Sequence, residues 1–167
     1  MFKSISYFQG HKLTQEDIIN LERQLEHEIP NEYARFLLAY NGGMPQQNCH
    51  DAHGTAGRRI GSVICVEMLY SLAGKSEVVK ETHSIEWNYS VYRGRIPENF
   101  LPIGEDGGGN QVCISLYGED AGCVWYWDHN KEIIPPDYSN CYKVADNFQA
   151  LLDGLFEYDY ENGVRIP

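Results

Sequence analysis

Apolar residues at helical spacing predict a helix near the N-terminus. Thr14 and Asp17 stand three residues apart, as in a capping box whose side chains satisfy the first backbone N–H groups of a helix. Three apolar residues then share one helical face, at Ile18, Leu21 and Leu25. The pattern predicts a helix over residues 14–26 with this face in the core.

The clearest helical pattern follows at residues 30–43. Pro30 suits the first turn of a helix, because the N–H that proline lacks has no partner there in any helix. The apolar positions repeat at the intervals of one face, at Tyr33, Phe36, Leu37 and Tyr40. Asn41, Gly42 and Gly43 tolerate the left-handed backbone of a helix end, so the helix is predicted to stop there.

The middle of the chain alternates between polar and apolar segments. Residues 44–59 are rich in Gly, Gln, Asn and His without apolar periodicity, which predicts a long exposed loop. Residues 60–66 contain the β-branched run typical of a buried strand. Residues 78–92 return to helical spacing, and Gly94 and Pro97 end the predicted helix. Its apolar face consists of Val78, Thr82, Ile85, Tyr89 and Tyr92.

From Phe100 onward the apolar period changes to two. Residues 101–104, 111–117 and 122–129 predict three consecutive strands. Residues 118–122, between the second and the third, predict a five-residue hairpin loop. A short fourth strand is predicted at residues 132–134, where two prolines end it.

The last apolar pattern predicts a closing helix. Its buried face is Phe148, Leu151, Leu152 and Leu155, and Asp146 is the expected N-cap. Helices first, an antiparallel meander next and a closing helix define an α+β fold with a twisted, mostly antiparallel sheet. No repeat or linker interrupts the pattern, and 167 residues suit a single domain, so residues 1–167 are predicted to form one.

The composition adds a strongly acidic character. Thirteen Lys and Arg against twenty-four Asp and Glu give a formal charge of -11. Such a charge repels phosphate backbones, so no direct binding of nucleic acid is expected. It also speeds the encounter with a cationic protein. The expected partner is therefore a basic protein.

The sequence favours a reducing compartment. No segment has the continuous apolar stretch of a secretory signal or a membrane span. The cysteines are odd in number and widely spaced, unlike a secreted disulfide scaffold. Cys65, Cys113 and Cys123 lie in apolar segments, where a free thiol behaves as a small buried hydrophobe. We therefore expect a cytoplasmic protein with reduced thiols.

The densest group of potential metal ligands is Cys49-His50-Asp51-Ala52-His53. A closed zinc site needs four ligands, commonly from two paired motifs, and no second pair is present, so a polar loop is favoured over a metal site. A Cys–His hydrolase needs a nucleophile beside a base that a third group orients. No cysteine stands in a recognisable nucleophile motif. We assign no metal, cofactor or catalytic residue.

Residues 104–110 form a glycine-rich segment that carries Glu105 and Asp106. A phosphate loop precedes a helix and often contains a lysine, whereas this segment joins two predicted strands and is acidic. It also lacks the spaced ligands of a calcium loop. It is either a plain strand connection or an exposed acidic tip that contacts a basic partner. Glu119 and Asp120 lie in the next connection, which a meander places at the opposite end of the sheet.

Aromatic residues mark two further segments. Trp125 and Trp127 share one strand face and Tyr126 takes the other, so either both faces are covered or one is a binding surface. Core packing is the favoured role of at least one Trp. Residues 157–161, beyond the closing helix, are acidic and rich in tyrosine. They are either a solvated terminus or a surface that mimics nucleic acid toward a basic protein.

Three segments together resemble the SUKH superfamily, the Smi/Knr-like family of cell-wall-assembly regulators that also includes many bacterial immunity proteins. The segments are IPNEYARFLLAYNGG, LPIGEDGGGNQVCISLYGEDAGCVWYWDHN and DNFQALLDGLFEY, in the family's order over residues 13–158. The distinctive positions are Pro30, Tyr33, Phe36, Leu37, Asn41, Gly42, Ile103, Gly109, Gly122, Val124, Asp128 and His129. Asn110 and Ser115 stand where the family often has an acidic residue.

The resemblance implies a single α+β domain without enzymatic activity. Bacterial members typically neutralise a cognate polymorphic or contact-dependent toxin by binding it. The acidic charge favours a basic, nuclease-like toxin, and a monomer is the expected state. The alternative is a non-catalytic regulatory adaptor that binds a cellular protein, and an enzyme is the third and weakest hypothesis.

The partner is expected to contact exposed acidic and tyrosine side chains. The candidates are Glu105, Asp106, Glu119, Asp120, Asp128, Tyr158 and Asp159.

Overall fold

The computed structural model describes residues 5–7, 10–54, 63–73 and 80–166. Its helices are α1 (Gln15–Leu25), α2 (Asn31–Tyr40), α3 (Ile85–Tyr92) and α4 (Phe148–Gly154). The strands are β1 (Ile5–Tyr7), β2 (Met44–Pro45), β3 (Cys49–His50), β4 (His53–Gly54), β5 (Ile64–Cys65), β6 (Met68–Leu69), β7 (Phe100–Glu105), β8 (Gln111–Ser115), β9 (Val124–Trp127), β10 (Cys141–Ala145), β11 (Glu157–Asp159) and β12 (Val164–Ile166). The fold is α+β, as predicted.

The first helix begins with the predicted capping box. The Thr14 hydroxyl accepts from the Asp17 backbone N–H at 3.4 Å, and the Asp17 carboxylate accepts from the Thr14 N–H at 2.7 Å. Two backbone donors that a helix start leaves unpaired are thereby satisfied. The predicted apolar face is buried, comprising Ile18, Leu21 and Leu25.

Asn41 ends α2 and also ties it to the rest of the core. Its backbone is left-handed, with φ of 47°, as predicted for this helix end. Its buried side-chain amide accepts from the Leu72 N–H at 2.7 Å and donates to the Leu72 carbonyl at 3.1 Å. An amide matches both groups at once, because it carries a donor and an acceptor side by side.

A six-stranded antiparallel sheet lies at the centre of the described residues. Its strand order is β4-β10-β9-β8-β7-β6. Strands β7 to β10 follow one another both in sequence and in space, which confirms an antiparallel meander. The meander places the β7–β8 turn and the β8–β9 loop at opposite ends of the sheet.

Each face of the sheet carries its own apolar cluster. Alternate residues of β8 and β9 point toward the large core, which also includes residues of all four helices. The other face carries a smaller cluster of Ile96, Phe100, Cys113, Trp125, Trp127 and Cys141. Both tryptophans of the strand are buried, so this face is packed core.

The predicted exposed loop at residues 44–59 is partly folded into the protein, which corrects that prediction. Its described part, residues 44–54, contains β2, β3 and β4, and both Cys49 and Ala52 are buried. Cys49 exchanges two backbone hydrogen bonds with Phe156, more than a hundred residues away in sequence. Such short strands are held by tertiary contacts and leave no periodic pattern. Residues 55–59 lie outside the described residues.

The strand predicted at residues 60–66 is shorter in the structure. Residues 60–62 lie outside the described residues, and β5 covers only Ile64–Cys65. The pair formed by β3 and β5 is therefore a brief antiparallel contact between the two segments.

The helix predicted at residues 78–92 begins later than predicted. Residues 78–79 lie outside the described residues, and α3 starts at Ile85. Ser84 is extended and its hydroxyl caps the Trp87 N–H at 3.2 Å. The Ser71 backbone carbonyl accepts from the Ile85 N–H at 2.9 Å, and Ser71 pairs with Ser84 in an isolated β-bridge. This tertiary pairing and the Ser84 cap together set the start of α3.

The fourth strand of the meander was predicted in the wrong place. Residues 132–134 follow a short 3-10 turn and form no strand, and Ile134 is 70% exposed. The partner of β9 is instead β10, at residues 141–145. Pro135 and Pro136 lack the N–H groups that a continuing strand needs, so pairing resumes only beyond them.

Two details near the C-terminus also differ from prediction. Asn147, not Asp146, caps α4, because its side chain accepts from the Ala150 N–H at 2.8 Å. Asp146 is exposed and forms an ion pair with Lys143 at 2.6 Å. The acidic segment beyond α4 is exposed or partly exposed, and it contains β11, which pairs with β12 in an antiparallel hairpin that the sequence did not predict.

Candidate functional site

The seven candidate contact residues lie in three separate regions. Three are at the end of the sheet where β7 turns into β8, two are in the β8–β9 loop at the opposite end, and two are in the terminal hairpin. In that order they are Glu105, Asp106 and Asp128, then Glu119 and Asp120, then Tyr158 and Asp159.

The Asp106 carboxylate holds its own turn together. It accepts from the Gly108 N–H at 2.8 Å, from the Asn110 side-chain amide at 2.7 Å and from the Tyr126 hydroxyl. Burial and this hydrogen bond to a carboxylate raise the pKa of Tyr126. Most of the hydrogen-bonding capacity of Asp106 is thus directed inward.

Neighbouring groups at the same end are also engaged. Asp128 is partly buried, accepts from the Asn130 N–H at 3.0 Å and forms an ion pair with the exposed Lys131 at 3.0 Å. The Asn110 side-chain oxygen accepts from the His129 backbone N–H at 3.0 Å. Glu105 is half-buried and accepts a long hydrogen bond of 3.4 Å from the Tyr70 hydroxyl.

Asp120 organises the loop between β8 and β9. Its carboxylate accepts from Ser115 Oγ at 3.0 Å, from Asn99 Nδ2 at 3.2 Å and from the Tyr138 hydroxyl at 2.9 Å. Burial, reinforced by the nearby Asp120 charge, raises the pKa of Tyr138 to about 12. Glu119, the preceding residue, is exposed.

The terminal hairpin is closed by Asp159. Its carboxylate accepts from the Glu161 N–H at 2.9 Å and from the Asn162 N–H at 3.0 Å. These bonds to the charged form lower the pKa of Asp159, with the Asn162 side chain contributing most. Tyr158 lies against Tyr160, with 5.1 Å between the ring centroids.

The cysteine and histidine segment lies next to this hairpin. The Sγ atoms of Cys49 and Cys65 are 3.2 Å apart, and the Tyr160 hydroxyl contacts both. Burial raises the pKa of Cys65 to about 11. Across the described ranges, no group of three or more His, Cys, Asp or Glu side chains is placed to hold a metal ion.

The predicted burial of the thiols is confirmed only in part. Cys113 is buried, whereas Cys65 and Cys123 are partly exposed. All five cysteines are free in the structure.

A groove that the sequence did not predict lies between the ends of α1 and α3 and the β8–β9 loop. We call it the Tyr117 groove, and its volume is about 490 Å³. Its polar and aromatic lining includes Glu26, His27, Tyr89, Arg93, Glu98 and Tyr117. These residues come from three distant segments, so only the tertiary fold brings them together. The one local signal was the acidic loop beside it.

Comparison with known proteins places this fold in a family. Residues 12–154 match the model of the SMI1 / KNR4 family (SUKH-1), which spans α1 to α4. The chain belongs to this family. The SUKH-1 match confirms the resemblance seen in the three sequence segments.

The SUKH-1 chain is also similar to a curated bacterial protein. This relative is the SPbeta prophage-derived uncharacterized protein YokK of Bacillus subtilis (strain 168). The two are 26% identical over 165 residues, which cover 89% of this chain and 80% of the relative. Within the part of the chain described, no helix is long and apolar enough to cross a membrane.

Proposed function

We propose that this SUKH-1 protein is an immunity protein that binds and neutralises a cognate bacterial toxin. The observation that carries the proposal is the family match over residues 12–154. The formal charge of -11 supports a basic, nuclease-like toxin domain as the partner. Under this proposal the protein is a cytoplasmic monomer. It inhibits the toxin by binding it in a one-to-one ratio and catalyses no reaction.

Electrostatics supports rapid capture of such a toxin. An acidic protein attracts a cationic partner over a Debye length of about 8 Å at physiological ionic strength. Complementary charge raises the association rate and the specificity more than the final affinity. Under this proposal the six candidate carboxylates and Tyr158 contact the toxin, and binding is expected to weaken as salt is added.

Co-expression tests the proposal directly. The protein encoded immediately upstream of this chain is expressed alone and together with it, and growth is followed. Growth arrest by the upstream protein alone, relief by this chain and co-purification of the two support the proposal. The proposal is contradicted if the upstream protein arrests growth and this chain neither binds it nor restores growth. Co-purification with a non-toxic cellular protein would support the regulatory adaptor instead.

A further inference from the structure

The Tyr117 groove combines a concave shape with aromatic walls. The rings of His27 and Tyr117 stack with 4.3 Å between their centroids and 26° between their planes. Tyr117 also lines a second depression of about 390 Å³, beside Glu119 and Trp125. Concave sites with aromatic walls and a few polar groups are typical of binding sites.

The carboxylates around the groove differ from those at the other end of the sheet. Glu26, Glu98 and Glu119 are exposed, and their carboxylates make no hydrogen bond or ion pair with other described residues. Glu98 and Tyr117 both line the groove, and partial burial together with the Glu98 charge raises the pKa of Tyr117. In contrast, Asp106 accepts four hydrogen bonds within the protein. The groove therefore offers negative charge that the fold itself does not use.

The charge of this surface favours a cation. The groove and the adjoining depression together are lined by Glu26, Glu98, Glu119 and Asp120 against Arg93. A single Lys would provide a point charge, whereas the planar guanidinium of Arg can also stack on aromatic rings and donate to two carboxylates. The combination of stacked rings and carboxylates thus matches arginine best.

The surface is also held in place before any partner arrives. Asp120 ties the loop to Asn99, Ser115 and Tyr138, as described above. The Leu116 N–H donates to the Asn99 carbonyl at 2.8 Å, next to Tyr117. A preorganised surface loses less conformational entropy on binding.

We propose that the Tyr117 groove is the docking surface for the basic partner and receives an arginine side chain of that protein. The partner's identity as a toxin rests on the proposed function, but the arginine site does not. The guanidinium lies against the His27–Tyr117 pair and donates to the carboxylates of Glu26 and Glu98. Glu119 contacts a neighbouring basic group of the partner.

Titration with N-acetyl-arginine amide tests the arginine site without any toxin. Backbone amide signals of the full chain are followed by heteronuclear NMR. Saturable shifts are expected around residues 26–27, 98 and 116–119. The variant E26Q/E98Q/E119Q should lose them, whereas the control E16Q/E81Q/D153N should keep them. Both variants remove three negative charges from exposed positions, and the control carboxylates do not line the groove.

The same two variants are then tested against the toxin domain. The groove variant is expected to bind at least about tenfold more weakly, and the control to stay within about threefold of the unmodified chain. Unchanged thermal unfolding midpoints show that both variants are folded. Equal weakening by the two variants shows that only net charge matters and overturns the docking proposal.

The outcomes separate this proposal from the proposed function. If N-acetyl-arginine amide shifts no amide signals around the groove, or if the shifts persist in the groove variant, the arginine site is overturned. This result does not depend on the toxin. If the upstream protein does not bind the unmodified chain, the immunity function fails, and the arginine titration still decides whether the groove is a cation site.

Discussion

At the scale of single residues, the carboxylates of this chain divide into two kinds. Asp120 accepts hydrogen bonds from three side chains, whereas Glu119 beside it faces solvent. In the sequence the two are adjacent acidic residues, and nothing in the local pattern distinguishes their roles. The partners of Asp120 lie 5 to 21 residues away, so only the fold reveals its structural role.

Replacing Asp120 tests this division. Asp120→Ala leaves the Tyr138 hydroxyl without its acceptor and removes the carboxylate partner of Ser115 and Asn99, so the free energy of unfolding is expected to fall by about 2 kcal/mol. Glu119→Ala is the matched control, with an expected change within about 0.5 kcal/mol. Denaturant unfolding measures both. Equal losses would show that the Asp120 contacts contribute no more to stability than an exposed acid.

At the scale of elements, predictions succeeded where a pattern is local. The capping box of α1, the end of α2 at Asn41 and the period-two strands β8 and β9 all depend on neighbours in sequence. The strands of residues 44–54 are only two residues long, so no period exists to detect. The same limit applies to the site. Its acidic loop was visible in the sequence, but the groove beside it requires α1, α3 and β8 to meet.

The cap of α4 provides a test at this scale. Asn147→Ala removes the acceptor for the Ala150 N–H, and the expected loss in the free energy of unfolding is about 1 kcal/mol. Asp146→Ala removes only an exposed ion pair and should cost less than about 0.5 kcal/mol. Denaturant unfolding of the two variants is compared. A larger loss of stability for Asp146→Ala than for Asn147→Ala would instead support Asp146 as the N-cap, as the sequence predicted.

The β3–β5 pair predicts a specific oxidation. Cys49 and Cys65 are directly opposite, and the Cys49 backbone bonds face Phe156, so the cysteines form a non-hydrogen-bonded pair. Side chains are closest at such pairs. Excess oxidised glutathione is therefore expected to convert the two thiols to a disulfide, with release of two reduced glutathione molecules per bond.

Mass spectrometry of the intact and digested protein measures this reaction. Burial raises the pKa of Cys65 to about 11, so only a small fraction of this thiol is ionised at neutral pH. The thiolate fraction, and with it the rate of disulfide formation, should increase as the pH rises toward that value. Buried Cys113, whose pKa is raised well above the ordinary thiol value by burial, is the internal control and should stay reduced. A mixed disulfide that persists on Cys65, without a link to Cys49, would contradict the predicted pairing.

At the scale of the whole molecule, the excess of acidic residues has no single location. Carboxylates at the β7–β8 end and in the terminal hairpin largely serve their own turns, while those around the Tyr117 groove face solvent. The net charge of -11 favours a basic partner, and we propose the Tyr117 groove as the place where that partner docks. The acidic charge is visible in the sequence, whereas the groove depends on the tertiary fold.

The central claim is that the chain neutralises a toxin by binding it, and inhibition measured against molar ratio tests this most directly. The purified toxin domain encoded upstream is mixed with increasing amounts of this chain, and the remaining toxin activity is recorded. Stoichiometric binding predicts a linear decline that ends at equal molar amounts. Undiminished toxin activity in the presence of excess chain would contradict the claim, and complete loss at a small fraction of one equivalent would indicate an enzyme instead.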